Sequence, residues 1–289
     1  MALSTKLRVH NDLAREALAE FLGTFILLSF GDGSVAQMLL SQGELGSALS
    51  IHLSWGLGVM MGVFVAGGVS GAHLNPAVTG AMACLGRLPW RKAPVYMLAQ
   101  YLGAFIAAAC VYLVYYDALA HYDGGVRDLS SAGIFATYPQ TYVTSWNCFG
   151  DQIFGTALLL IGILAITDPD NMAPSKAMTA LCVGLLVVAI GMTFGLNCGY
   201  AINPARDLGP RIFTAIGGWG LEPFNVRNYN YFWIPVVATH LGAIIGSLVY
   251  QLCVGFHWPR QASDAQMNVR GGPVSQVQYD GPYESQAKL

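Results

Sequence analysis

Ser70-Gly71-Ala72-His73-Leu74-Asn75-Pro76-Ala77-Val78-Thr79 and Gly199-Tyr200-Ala201-Ile202-Asn203-Pro204-Ala205-Arg206-Asp207-Leu208-Gly209-Pro210 share one tripeptide, Asn-Pro-Ala, each time inside an apolar tract. Asn followed by Pro reads as a helix start. The Asn side chain caps orphan N–H groups, and Pro at the first helical position gives up only a donor that has no use there. Two helices therefore begin where hydrophobic spans should continue. Helix starts at membrane depth are tolerated only where protein or a water-filled cavity encloses them, which puts both motifs on one aqueous path.

The surroundings support a membrane setting. The chain has 289 residues, 54% of them hydrophobic and only 10% charged, against about 25% charged in soluble domains. No Asp, Glu, Lys or Arg falls between Lys92 and Asp117, Asp151 and Asp168, Lys176 and Arg206, or Arg227 and Arg260. Several of these gaps reach the roughly 20 residues that span a bilayer. Spans are expected over residues 14–40, 48–69, 94–116, 150–167, 177–195 and 231–255. Half-length helices follow the two Gly-containing approaches, over 75–85 and 203–215. The expected fold is an all-α membrane protein of six transmembrane helices and two re-entrant half-helices.

The same order of elements occurs twice. Phe21-Leu22-Gly23-Thr24 matches Ile153-Phe154-Gly155-Thr156, and Tyr101-Leu102-Gly103-Ala104 matches His240-Leu241-Gly242-Ala243. Each half holds an odd number of spans, so the second half runs upside down and the half-helices meet head to head: an inverted repeat. The bias of Lys and Arg sets the orientation. Lys6, Arg8, Arg15, Arg87, Arg91, Lys92, Lys176, Arg260, Arg270 and Lys288 then lie inside, with Arg127, Arg206, Arg211 and Arg227 outside. The expected organisation is a cytoplasmic N-terminus (1–13), a first repeat (14–116), an extracellular loop (117–149), a second repeat (150–255) and a mobile cytoplasmic tail (256–289).

Several function classes drop out. No basic stripe suits nucleic acid. Cys84, Cys110, Cys148, Cys182, Cys198 and Cys253 show no C-x-x-C spacing, and no N-x-S/T acceptor occurs. No metal-ligand cluster, and no nucleophile with a base and an orienting group, stands out, so neither an enzyme nor a cofactor or metal is expected.

On the two Asn-Pro-Ala segments in register with an inverted repeat, the chain resembles the aquaglyceroporins, the glycerol-conducting branch of the aquaporins. The resemblance runs from Ala19 to Phe256, and Ile134-Phe135-Ala136-Thr137-Tyr138-Pro139 is similar to animal members. It implies an aquaporin-like right-handed bundle, a homotetramer in the plasma membrane with both termini cytoplasmic, and passage of glycerol, water and small neutral solutes such as urea. Asn75, Pro76, Ala77, Asn203, Pro204 and Ala205 would form the pore centre, where two half-helix dipoles repel protons and cations. Trp55, Gly191, Tyr200 and Arg206 match the family's selectivity filter: two aromatic rings opposite an Arg would make a slot with an apolar and a donor wall. Gly191 stands where water-selective members place His, and would leave space for carbon.

Gly71, Ala72, His73, Cys198 and Gly199 would line the path with carbonyls. A neutral His73 held by a loop hydrogen bond is expected. Glu20 matches the family's buried acid that holds a re-entrant loop, and Gln152 is its neutral counterpart. Asp207 is expected to pair with a nearby Arg in structural support, away from solute. A strict water channel is the nearest alternative. A coupled transporter would need more intramembrane ionisable groups than Glu20, Arg206 and Asp207 supply.

Overall fold

The structure, a computed structural model, describes residues 8–259. Lys6, Arg260, Arg270, Lys288 and all but the first residues of the expected 256–289 tail lie outside them. The helices that build the site all belong to one unit, Met1–Phe256.

Among the described residues every regular element is helical: α1 (Asp12–Leu40), α2 (Ala48–Ala66), α3 (Pro76–Cys84), α4 (Ala93–Val114), α5 (Tyr116–Asp123), α6 (Leu129–Ala132), α7 (Ser145–Thr167), α8 (Lys176–Phe194), α9 (Pro204–Ile216), α10 (Glu222–Asn225) and α11 (Ile234–Cys253). α2, α4, α7, α8 and α11 are long and apolar enough to cross a membrane. α1, at 29 residues the longest, interrupts its apolar run with Glu20 and Asp32, both wholly buried. Leu22, Leu57, Phe64, Leu98, Leu113 and Leu185 stand 46% to 70% exposed on the outside. A water-facing surface seldom carries so much apolar area; lipid covers it without cost.

Side-chain caps begin most of the long helices. Asn11 caps α1, Thr144 caps α7, Ser175 caps α8, and Ser47 with Ser50 forms a capping box on α2. The Thr144 cap starts α7 at Ser145, ahead of Gly150, and the segment before it folds into α5 and α6.

Closely packed glycines lock the two halves in matching ways. α1 packs on α2 and α4, as α7 packs on α8 and α11. A Cβ placed on Gly103 of α4 would stand 2.4 Å from the Phe21 carbonyl oxygen of α1. One on Gly242 of α11 would stand 2.3 Å from the Ile153 carbonyl oxygen of α7. These are the positions the internal repeat pairs. At the seam between halves, α2 and α8 meet through Gly56 and Gly184, where a Cβ on either would approach the other's carbonyl oxygen to 2.5 and 2.6 Å. Backbone cannot yield as a flexible side chain can, so Gly242→Val is expected to destabilise the protein by about 1–3 kcal/mol or more. Thermal unfolding in detergent checks this; an unshifted midpoint would show that α7 and α11 do not need close contact.

Candidate functional site

The two Asn-Pro-Ala segments meet at the centre of the bundle. Asn75 Oδ1 accepts from Ala77 N at 2.8 Å and Val78 N at 3.4 Å, and Asn203 Oδ1 accepts from Ala205 N at 2.9 Å and Arg206 N at 3.3 Å. Pro76 and Pro204 occupy the first helical positions. With each oxygen engaged, each Nδ2 reaches across to the other half. Asn75 Nδ2 donates to the Ile202 carbonyl at 2.8 Å and Asn203 Nδ2 to the Leu74 carbonyl at 2.9 Å. An amide NH2 carries two hydrogens, so each Asn keeps one donor beyond this clasp. Nothing in the residue pattern announces the crossing bonds, which join residues far apart in the chain.

The approaches to the two Asn residues are alike as well. Gly71, Ala72 and Leu74 have positive φ, and so do Gly199, Tyr200 and Ile202 at matching positions. Left-handed conformations at non-glycine residues persist only where the surroundings hold them. In the first half Glu20 does so: it accepts from Ser70 Oγ at 2.5 Å, His73 N at 2.9 Å, Leu74 N at 2.7 Å and Gln100 Nε2 at 2.8 Å. In the second half the work is divided. Gln152 Oε1 accepts from Ile202 N at 3.0 Å, while Asp151 accepts from Asn197 Nδ2 at 2.9 Å and the Cys198 thiol at 3.1 Å. The His73 ring sits 3.1 Å from Thr79 Oγ1.

A cavity of 310 Å³ runs beside these segments. Leu27, Val59, Val63, Leu159, Ile163 and Val187 give it an apolar wall. Polar groups come from Asn75, Asn203, Arg206 and the loop residues 71–73 and 200–202, and Arg87, Thr167 and Thr179 also border it. Two of the residues expected to line this space with carbonyls do not border it. Cys198 is fully buried, its carbonyl accepts from Tyr231 Oη at 3.4 Å, and a Cβ on Gly199 would face Thr137. Tyr200, Ala201 and Ile202 take that place, because the chain turns toward the cavity only after Gly199.

Trp55, Tyr200 and Arg206 border the cavity together. The arrangement differs from a slot with rings opposite an Arg. The Arg206 guanidinium carbon lies 4.1 Å from the Trp55 ring centroid, stacked on that ring, and its Nη1 donates to the Phe135 carbonyl at 3.1 Å. Gly191 also differs from expectation, since it does not border the cavity and leaves no free space. A Cβ there would meet Tyr200 Cζ at 2.7 Å and His52 Nδ1 at 2.9 Å. The missing side chain makes room for the Tyr200 ring, which His52 Nδ1 holds by its hydroxyl at 2.9 Å.

Behind Arg206 lies a polar support. Arg211 donates from Nε to Asp207 Oδ1 at 2.9 Å, from Nη1 to the Pro223 carbonyl at 2.7 Å and from Nη2 to the Thr137 carbonyl at 2.6 Å. Asp207 Oδ2 accepts from Thr137 N at 2.9 Å and Thr137 Oγ1 at 2.5 Å. Arg211 and Asp207 are fully buried. Tyr138 and Tyr231 face the same guanidinium, and burial pushes the Tyr138 phenol above its ordinary range, so it stays a neutral partner for the cation. This network fixes Thr137, and through it the Phe135 carbonyl that Arg206 uses.

Sequence reasoning missed His52, the 135–137 segment and the nearness of Asp32, whose Oδ1 lies 3.9 Å from Arg206 Nη1. His52 stands out only as the one His within the 48–69 tract, and Asp32 as the one charge between Glu20 and Glu44. The Phe135 carbonyl carries no sequence signal.

The profile of the Major intrinsic protein family matches residues 8–250. Aquaporin-10 of Milnesium tardigradum is 53% identical over 270 residues, covering 87% of this chain and 66% of that relative's length. Aquaporin-9 of Homo sapiens is 47% identical over 262 residues, covering 89% of this chain and 88% of the relative. Among solved structures, the aquaglyceroporin from Plasmodium falciparum superposes with a TM-score of 0.77 at 32% identity, covering 84% of this chain and 98% of that one.

Proposed function

The chain belongs to the major intrinsic protein family, and from that premise we propose that it is a passive channel for glycerol, water and other small uncharged solutes such as urea. It is a channel and not an enzyme. The observation that carries this reading is the cavity itself: an apolar wall faces a strip of polar groups, with two helix N-termini and the Asn75 and Asn203 amides at its middle.

A polyol has the same two-sided character. Its carbon backbone packs on Val187, Leu159 and Val63, while its hydroxyl oxygens accept from the Asn Nδ2 hydrogens left over by the clasp. Carbonyls of Gly71, Ala72, His73, Tyr200 and Ala201 accept the hydroxyl hydrogens and replace part of the hydration shell. A cation meets the positive ends of α3 and α9, each worth roughly half an elementary charge. Trp55, Tyr200 and Arg206 select at one end, with Gly191 and His52 fixing the Tyr200 ring and Glu20, Gln152 and Asp207 fixing the backbone.

The Lys and Arg bias supports the Arg87 end as cytoplasmic and the Arg206 end as extracellular, with both termini inside. On this reading the N-terminus, the two repeats, the outer loop and the tail keep the order read from the sequence, with the loop ending at Thr144 where α7 begins, and the protein works as a homotetramer in the plasma membrane.

Val187 of α8 borders the cavity and is nearly buried. Val187→Trp is expected to lower glycerol and water permeability together by about a hundredfold, roughly 2.7 kcal/mol of added barrier. Osmotic swelling of proteoliposomes carrying equal amounts of folded protein reads this. Undiminished fluxes would move the path elsewhere.

A further inference from the structure

Two guanidinium groups border the cavity, those of Arg206 and Arg87. Arg206 is stacked on Trp55 and bonded to the Phe135 carbonyl, whereas no acceptor among the described residues holds Arg87. The end of α3 places it. Gly86 takes a φ of 71° and Arg87 N donates back to the Met82 carbonyl at 2.9 Å, so the chain turns where the half-helix stops and leaves Arg87 exposed at the rim. Thr167, the last residue of α7, and Thr179, in the first turn of α8, border the cavity too. Their hydroxyl hydrogens are engaged by helix carbonyls, Thr167 with Ile163 at 2.7 Å and Thr179 with Ser175 at 3.1 Å, which leaves both oxygens as acceptors. Asp168, next along the chain, does not border the cavity; it is buried and accepts from Tyr250 Oη at 2.7 Å. The rim thus offers a cationic donor, two acceptors and the apolar side chains of Ile163 and Val183.

We infer that this rim binds a phosphorylated polyol, which closes the channel from the cytoplasmic side. The planar guanidinium fork matches a phosphate monoester, and an arginine without a protein acceptor is free to take one. The polyol hydroxyls donate to Thr167 and Thr179 while the carbons lie on Ile163 and Val183. The ester goes no further than the rim, because a charged group would have to shed its water between apolar walls that a neutral polyol passes. Such a ligand is the product of phosphoryl transfer to the solute the channel conducts, so its build-up inside slows further entry. The inference rests on the reading of the cavity as a polyol path with the Arg87 end inside, and adds to it a ligand and a means of regulation.

The test uses the full-length protein in phosphatidylcholine vesicles with glycerol 3-phosphate or inorganic phosphate on both faces, so that channels in either orientation meet the anion. Glycerol flux is divided by that of the same variant without anion. Glycerol 3-phosphate is expected to lower wild-type flux about tenfold, with half of the effect reached at about 1 mM, and inorganic phosphate, which lacks the polyol, by less than about twofold. The block is expected to vanish in Arg87→Gln and to persist, weakened, in Arg87→Lys. Thr179→Val is expected to lose the advantage of the ester over phosphate. Undiminished wild-type flux, the same block in Arg87→Gln, or equal inhibition by the two anions would overturn the assignment. Lipid phosphate is present in every sample, so inhibition that follows the added ester comes from the free ester. Vesicles that conduct water but no glycerol would remove the polyol reading by themselves, and block of water flux by the ester would still decide whether the rim binds it.

Discussion

Replacing Gly191 by His is expected to cut glycerol permeability by about a hundredfold, roughly 2.7 kcal/mol of barrier, while water permeability falls far less. The cause is displacement. Even a Cβ at Gly191 would sit 2.7 Å from Tyr200 Cζ and 2.9 Å from His52 Nδ1, so the imidazole and the ring cannot share the space. Tyr200 borders the cavity and has helix α8 at its back, so it yields toward the solute. Gly191→Ala needs a smaller shift of the ring and is expected to give an intermediate loss. Light scattering of vesicles with each variant, after size-exclusion confirms the folded form, makes the comparison. Full glycerol flux in folded Gly191→His would mean that Tyr200 has another place to go and that Gly191 does not set the width.

The second large effect is on stability. Arg211→Met removes a fully buried cation that satisfies Asp207 and the carbonyls of Thr137 and Pro223. Breaking one side of a buried, hydrogen-bonded pair typically costs about 3–5 kcal/mol, because the remaining charge is stranded. Exchanging both partners for apolar residues is expected to recover part of that loss. The defect should also reach the site, since Thr137 fixes the segment whose Phe135 carbonyl holds Arg206 at 3.1 Å. Thermal unfolding in detergent, with Arg211→Met and Arg211→Met/Asp207→Leu side by side, measures both effects. A single variant as stable as wild type would show that the Asp207–Arg211 pair does not support that end of the bundle.

The fold was legible largely because Asn and Pro act locally. Asn75 and Asn203 accept from N–H groups two and three residues on, and Pro tolerates the first helical turn, so the helix starts follow from residues a few positions apart. Phe21–Gly103 and Ile153–Gly242 were visible as a sequence repeat, though only the structure shows that repeat equivalence means the same backbone contact. The candidate site was harder to read where its parts depend on distant segments. Whether Gly191 offers a void or a berth for Tyr200 depends on a ring from another loop. Cys198 reads like a lining residue from its place in the motif, yet its neighbours Asp151, Gln152 and Tyr231 claim its polar groups. Arg206 was clear as a buried cation, but its stacking on Trp55 and its nearness to Asp32 arise from how α1, α2 and α9 converge.

Passage of a polyol across the membrane by this cavity is tested most directly by stopped-flow light scattering. Proteoliposomes carrying the wild-type protein are shrunk in parallel by a glycerol gradient and by a sucrose gradient. In glycerol the vesicles are predicted to shrink and then re-swell at a rate that scales with the amount of protein, while in sucrose they shrink and stay shrunken. Water flux intact in both gradients, with no re-swelling in glycerol beyond that of protein-free vesicles, would contradict polyol passage and leave a channel for water alone.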